Sequence, residues 1–148
     1  MAPLQFEIRP VLAAEYAHAS SLLVRERLPA SDLSPERVFL LGAFTLDAHL
    51  IGVIGLEPAG DDALVRSMVV SPAYRGQGVA KRLYAALVAE ARRTSKRHVF
   101  VLTETAQKFF LALGFAEVAR SSVPLAIQST SQFSGLCPST TSIFSRPL

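Results

Sequence analysis

Val69-Val70-Ser71-Pro72-Ala73-Tyr74-Arg75-Gly76-Gln77-Gly78-Val79-Ala80 is the stretch on which the reading of the fold turns. An apolar run stops at Ser71-Pro72, a loop with two glycines follows, and helical spacing of apolar residues begins at once. Glycine lets main-chain N–H groups converge without a β-carbon in the way, and a helix N-terminus adds partial positive charge. Together they form a cradle for a phosphate or pyrophosphate. The alternative is an ordinary strand-to-helix turn. No Gly-Lys-Ser/Thr closes the loop and a third glycine is missing, so neither a Walker loop nor a dinucleotide fingerprint is present.

Working outward, the helix is expected from about Gly78 to Arg93, burying Val79, Leu83, Ala86, Leu87 and Ala91. His98 to Leu102 reads as a strand, Thr105 to Leu113 as a second helix with Gly114 as its left-handed cap, and Phe115 to Ala119 as a further strand. Toward the N-terminus, Leu64 to Val70 is a strand preceded by a turn at Ala59-Gly60-Asp61-Asp62. Val38 to Leu46 and His49 to Leu56 form a hairpin about Asp47-Ala48, a weaker turn than Asp-Gly. Before them come a strand from Leu4 to Arg9 that alternates apolar and polar, and a helix from Val11 to Leu28 that Pro29 stops. Beyond Ser121 the chain is rich in Ser, Thr and Pro. It still carries Leu125, Ile127, Phe133, Leu136, Ile143 and Phe144, so most of it is expected to pack, with a last strand at Thr140 to Ser145. The pattern is a single α/β (α+β) domain over 1–148 with a mostly antiparallel sheet.

Charge is unevenly distributed. The chain has 148 residues with 15 Lys plus Arg and 12 Asp plus Glu, a net charge of +3. Between Arg75 and Arg97 there are seven basic residues against Glu90 alone, so this stretch carries +6 and the remainder −3. Arg75, Lys81 and Arg82 lie beside the cradle and point to an anionic ligand, one with several phosphates suiting the arrangement. Arg92 to Arg97 reads equally as a solvated helix face, and without interleaved aromatics or a recognition motif it makes a poor nucleic-acid surface. One cysteine, Cys137, excludes an internal disulfide framework. His18, His49 and His98 are scattered, so no metal cage is expected. Half the residues are apolar, yet no run is long enough to span a membrane, and the first residues lack the features of a signal peptide. A soluble cytoplasmic domain is the expectation, with exposed edge strands leaving a homodimer open.

Arg75-Gly76-Gln77-Gly78-Val79-Ala80, with its Val-x-Pro-x-x-Arg lead-in, resembles motif A of the GCN5-related N-acetyltransferases, Arg/Gln-x-x-Gly-x-Gly/Ala. Val99 to Thr103, Ala106, Phe109-Phe110 and Leu113-Gly114-Phe115 resemble the strand, helix and Leu-Gly-Phe corner of that family. The resemblance implies a mixed sheet of six or seven strands, splayed between the fourth and fifth and flanked by about four helices. It also implies acetyl-CoA in the splay, with no metal. The pantetheine arm would bond the backbone at Met68, Val69 and Val70. The pyrophosphate would lie on the amides of Gln77, Gly78, Val79 and Ala80, with Arg75 and Gly76 leading in and Lys81 alongside. Acetyl would pass directly to an amine, the Val69 N–H polarising the thioester carbonyl.

The family's tyrosine acid falls near Phe109 or Phe110, neither of which can donate a proton. Thr103 or Thr105 either orients a water, the thiol or substrate, or caps the helix. Tyr74 and Tyr84 are the nearby phenols, and Tyr84 reads as packing. Glu57 is the candidate base, at the expected floor of the cleft, or else a turn residue beside Pro58. Glu104 begins the opposite lip. Arg66 either pairs with Glu57 or binds a substrate carboxylate. Gly55-Leu56-Glu57-Pro58, the strand from Leu64, and the tail residues Val123-Pro124, Ile127, Gln132-Phe133 and Leu136-Cys137-Pro138-Ser139 are similar to the arsenic-resistance N-acetyltransferase subgroup. That implies a small-molecule amine such as a glutamate-like amino acid or toxin of the arsinothricin and phosphinothricin type, clamped by Arg66. An enzyme acting on a polypeptide amine and a non-catalytic CoA-binding module are the competing readings.

Overall fold

The computed structural model describes residues 3–136 and 140–148. Seven strands form one sheet: β1 (Phe6–Pro10), β2 (Phe39–Thr45), β3 (Leu50–Ala59), β4 (Asp62–Val70), β5 (His98–Thr103), β6 (Ala116–Val118) and β7 (Ser142–Pro147). Their order across the sheet is β1-β2-β3-β4-β5-β7-β6, and only the β4–β5 pair is parallel. The α-helices are α1 (Tyr16–Arg25), α2 (Val79–Arg93), α3 (Gln107–Ala112) and α4 (Leu125–Gln128), with short helical turns between elements. The mixed, mostly antiparallel sheet is the one expected.

The differences in detail have local causes. The first helix begins later than Val11, because Val11 still donates its N–H to the Leu40 carbonyl beside β2 (2.9 Å). A single helical turn at Ala13–Glu15 then intervenes, with the Glu15 carboxylate accepting the Leu12 amide (2.8 Å) and gripping Arg9. The β3–β4 turn shortens to Gly60-Asp61, Gly60 taking φ 63, so both strands run longer than their apolar cores. Pro58 is tolerated because β2 has already ended, its last partner being Leu56 opposite Phe39. At the weak Asp47-Ala48 turn, Ala48 has φ 67 and the Thr45 hydroxyl supplies what glycine would have, bonding Asp47 (2.6 Å) and accepting the His49 amide (3.1 Å).

Two layers cover the sheet. On one face α2 buries Val79, Leu83, Leu87, Val88 and Ala91 against Leu41, Ile54, Val65 and Val101; Tyr84 joins them as packing, its hydroxyl receiving Arg146 (3.1 Å). Each such leucine contributes about 1.5–3 kcal/mol by leaving water. On the other face α1 packs Ala19, Leu22 and Leu23 on Leu40, Val53 and Val69, and α4 seats Ile127 against Leu64, Phe100 and Ile143. The tail therefore packs through Ile127, Ile143 and Phe144, but Leu125 is 78% exposed, against expectation. β7 starts two residues later than Thr140 and wedges between β5 and β6. Cys137, Pro138 and Ser139 lie outside the described residues. No described helix is long and apolar enough to cross a membrane.

Candidate active site

The sheet comes apart where β4 and β5 are longest. β4 pairs with β5 only through Ala63–Val65 opposite Val99–Val101, although it continues to Val70. β5 is meanwhile held along its full length by β7, from His98 opposite Pro147 to Thr103 opposite Ser142. A V-shaped cleft of about 740 Å³ opens between them. Met68, Val69 and Val70 form one wall; Leu102, Thr103, Thr105, Ala106, Phe109 and Phe110 form the other. Its size and apolar walls suit a ligand of cofactor dimensions.

At the mouth, Gly76 and Gly78 adopt φ 76 and 85, in the left-handed region where a β-carbon is strained. A β-carbon built on either would meet no atom within 4 Å, so the loop is uncrowded on that side. α2 starts immediately, and its first intrahelical bond runs from the Arg82 N–H to the Gly78 carbonyl (3.2 Å). The amides of Val79, Ala80 and Lys81 thus have no intrahelical acceptor, and no side chain caps the helix. The end of this 15-residue helix is a concave, electropositive donor set.

A second feature lies deeper. Val69 pairs with Val53 and Arg66 with Gly55, so Ser67 and Met68 together oppose Ile54, a β-bulge. Ser67 takes φ 57 inside the strand. Because the Ser71 N–H donates to the Ile51 carbonyl (2.8 Å), strand alternation turns the Val69 amide toward Val53 and leaves the Met68 and Val70 amides on the open side. The carbonyl of Val70 is on that side too, where it accepts Arg75 Nε (2.9 Å).

The sequence model of the acetyltransferase (GNAT) domain matches residues 38–117, more than half of the chain and both walls of the cleft just described. The chain belongs to the GNAT acetyltransferase family. Solved structures share the fold of this acetyltransferase at low identity. An N-acetylglutamate synthase from Neisseria gonorrhoeae, complexed with coenzyme A and N-acetyl-glutamate, superposes with TM-score 0.80 at 19% identity, over 99% of this chain and 36% of that one. A GNAT-family acetyltransferase from Staphylococcus aureus Mu50 gives 0.78 at 14% identity over 97% and 99% of the two chains. PaiA N-acetyltransferase from Thermoplasma acidophilum, in complex with coenzyme A, gives 0.71 at 15% identity over 98% and 100%. No curated protein sequence matches the chain.

The acetyltransferase brings most of the expected residues to the cleft. Arg66, Met68, Val69, Val70, Arg75, Gly76, Gly78, Val79, Ala80, Lys81, Thr103 and Thr105 all line it; Gln77 stands exposed between the two glycines. Phe109 and Phe110 line it as well, packed edge to face with centroids 5.2 Å apart. The Thr103 hydroxyl accepts the Ala106 amide (2.9 Å) in the turn before α3, which has no side-chain cap of its own.

The cations sort differently from the expectation. Arg75 forms an ion pair with Glu26 (2.6 Å). Arg82 lies 4.2 Å over the Phe6 ring with Nη1 on the Phe6 carbonyl (3.3 Å), and is not part of the cleft lining. Lys81 is the cation among the three that shows no bond within the described residues.

Glu57 is 6% exposed and does not line the cleft. It borders a smaller polar hollow with Arg37, Pro58, Ser129 and Thr130, and its Oε1 accepts Arg66 Nη1 (2.8 Å). It misses the expected cleft floor because it stands opposite Leu64, nearer the β3–β4 turn than the splay. Glu104 is exposed and its carboxylate accepts the Thr141 hydroxyl (3.2 Å). Asp32, which the sequence reading missed, holds Arg66 through both carboxylate oxygens (2.6 and 2.5 Å). The Arg66 guanidinium holds the Asp32 carboxyl below its ordinary value; burial opposes the Arg66 charge, but Asp32 and Glu57 outweigh it and raise its pKa. Among the described residues no group of three or more His, Cys, Asp or Glu is placed to hold a metal.

Proposed function

We propose that this acetyltransferase binds acetyl-CoA in the β4–β5 cleft and transfers the acetyl group to the primary amine of a small molecule. The observation that carries the reading is the unbonded row of amides at Val79, Ala80 and Lys81, behind two left-handed glycines at the mouth of an apolar cleft. A pyrophosphate accepts from these amides with Lys81 beside it, and the pantetheine amides pair with the open edge of β4 at Met68 and Val70. Coenzyme A in complex with structural relatives supports the choice of cofactor.

In the transfer, the neutral amine attacks the thioester carbonyl carbon, the C–N bond forms, and the C–S bond breaks to release the CoA thiolate. An amide on the open side of β4 stabilises the oxyanion. Strand alternation favours the Met68 amide for that task over Val69, whose amide faces β3. Phe109 and Phe110 supply no proton, so the thiolate takes its proton from solvent, which also accepts the one the amine gives up. Glu57, bonded to Arg66 and outside the cleft lining, is not a base touching the amine.

A glutamate-like amino acid is the first acceptor class to test, on the resemblance to the arsenic-resistance subgroup and the shared fold of an N-acetylglutamate synthase. Arg66 does not serve as its carboxylate clamp, since three of its nitrogens already have acceptors. The test is thiol release from acetyl-CoA across a panel of glutamate-like amino acids, dipeptides and polyamines, with mass detection of the acetylated product. Turnover on a free amine supports the reading. Turnover confined to peptides shifts it to a polypeptide acceptor, and CoA binding without any turnover makes the fold a binding module.

A further inference from the structure

Arg66 borders the cleft and binds Asp32 and Glu57, which do not line it, and the chemistry above uses none of the three directly. The Arg66 side chain is wholly out of solvent. Its Nη atoms hold Asp32 and Glu57, and its Nε donates to the Ser67 hydroxyl oxygen (3.0 Å). Two carboxylates around one guanidinium leave the buried group with a net negative charge, an expensive arrangement that well-packed apolar side chains of similar volume would often match in stability. What the group supplies is geometry. Asp32 belongs to the loop 26–38, Glu57 to β3 and Arg66 to β4, so one guanidinium fixes three segments to one another.

The fixed point is the bulge. Ser67 is the one non-glycine residue inside a described strand with positive φ, at 57, a conformation its β-carbon disfavours. The strand has little room to relax toward β3, because a β-carbon added to Gly55 would already sit 3.1 Å from the Arg66 carbonyl and 2.9 Å from Val38. The dihedrals of Ser67 set the direction of the Ser67–Met68 peptide, and with it the Met68 N–H.

We propose that Arg66 is a positioning residue: anchored by Asp32 and Glu57, it holds the Ser67 hydroxyl and the left-handed turn at Ser67, and so keeps the Met68 amide aimed at the thioester oxygen. The inference rests on the acetyl-CoA reading of the cleft and adds to it the device that orients the oxyanion donor.

The test uses carbonyl-labelled [1-13C]acetyl-CoA, with no amine present, on the wild-type protein, Ser67→Ala, Asp32→Asn and the double variant Asp32→Asn/Ser67→Gly. CoA affinity is measured first by calorimetry, and circular dichroism confirms the fold. In the wild type the bound thioester carbon shifts downfield as the amide polarises the carbonyl. Ser67→Ala and Asp32→Asn are expected to lose about half of that shift or more, while binding CoA within about threefold of wild type. Adding Ser67→Gly to Asp32→Asn restores the shift, because glycine enters the left-handed region without a lock. A merely structural role for the cluster moves stability but not this shift. A wild-type shift retained in Ser67→Ala overturns the proposal, as does a double variant that folds and binds CoA without recovery. Should Asp32→Asn not fold, Ser67→Ala decides alone. If the wild type binds no CoA at all, the acetyl-CoA reading itself fails, and this inference with it.

Discussion

Placing a carboxylate at Gly78 should oppose the pyrophosphate proposed to lie at the start of α2. Gly78 has φ 85, precedes a 15-residue helix, and a β-carbon there enters space with no atom within 4 Å. In Gly78→Glu the carboxylate lies about 5 Å from a pyrophosphate carrying about two charges. At an effective dielectric of about 40 this repulsion amounts to about 3 kcal/mol, a loss of about a hundredfold in affinity. The backbone strain of a β-carbon at positive φ, about 1–2 kcal/mol, is present with and without ligand and therefore lowers Tm while cancelling from Kd. Gly78→Ala separates the two, since it carries the strain without the charge. Calorimetry with CoA at about 0.05 and 0.5 M salt is the assay. The glutamate variant should lose affinity far beyond the alanine variant, and high salt should narrow the gap. A folded Gly78→Glu protein with wild-type CoA affinity would refute the cradle.

Leu83→Ala removes a wholly buried side chain from the contact between α2 and the sheet and should cost about 2–5 kcal/mol, read by urea unfolding. Phe110 is 1% exposed between Phe109 and Phe115, so Phe110→Tyr should destabilise by about 1–3 kcal/mol through overpacking, whereas Phe109→Tyr should keep a wild-type Tm. Asp32 has a folded pKa below its ordinary 3.8, so its ion pair stabilises the fold fully above that value, and the contribution is lost as pH falls through the lower folded pKa. The Tm gap between wild type and Asp32→Asn should therefore stay constant from pH 8 to about 5 and shrink below about 4. A gap that grows on acidification would contradict the assignment.

The order of elements was legible because the signals are local. Alternation gives β1, the spacing Val79, Leu83, Leu87, Ala91 gives α2, and the glycines mark the turn whose amides stay open. The wedging of β7 between β5 and β6 was not legible, because pairing across the sheet leaves no mark in either segment. Asp32 hid in a loop where aspartate is ordinary turn chemistry, its partner lying 34 residues away. The bulge at Ser67 carried no signal, since serine has no special affinity for positive φ and is held there by Arg66. Arg82 misled because a charge count cannot tell a guanidinium aimed at a ligand from one laid over a phenylalanine ring.

The central claim is that acetyl-CoA lies along β4 with its pyrophosphate on the amides that open α2. A CoA titration followed by amide-resolved 15N–1H NMR tests it most directly. The account predicts the largest shifts at Gly76 through Lys81, continuing to Met68 and Val70, with Arg92 and Arg93 at the other end of α2 unmoved. Shifts clustered at the Arg92 to Arg97 end, or none in a folded protein, would contradict it.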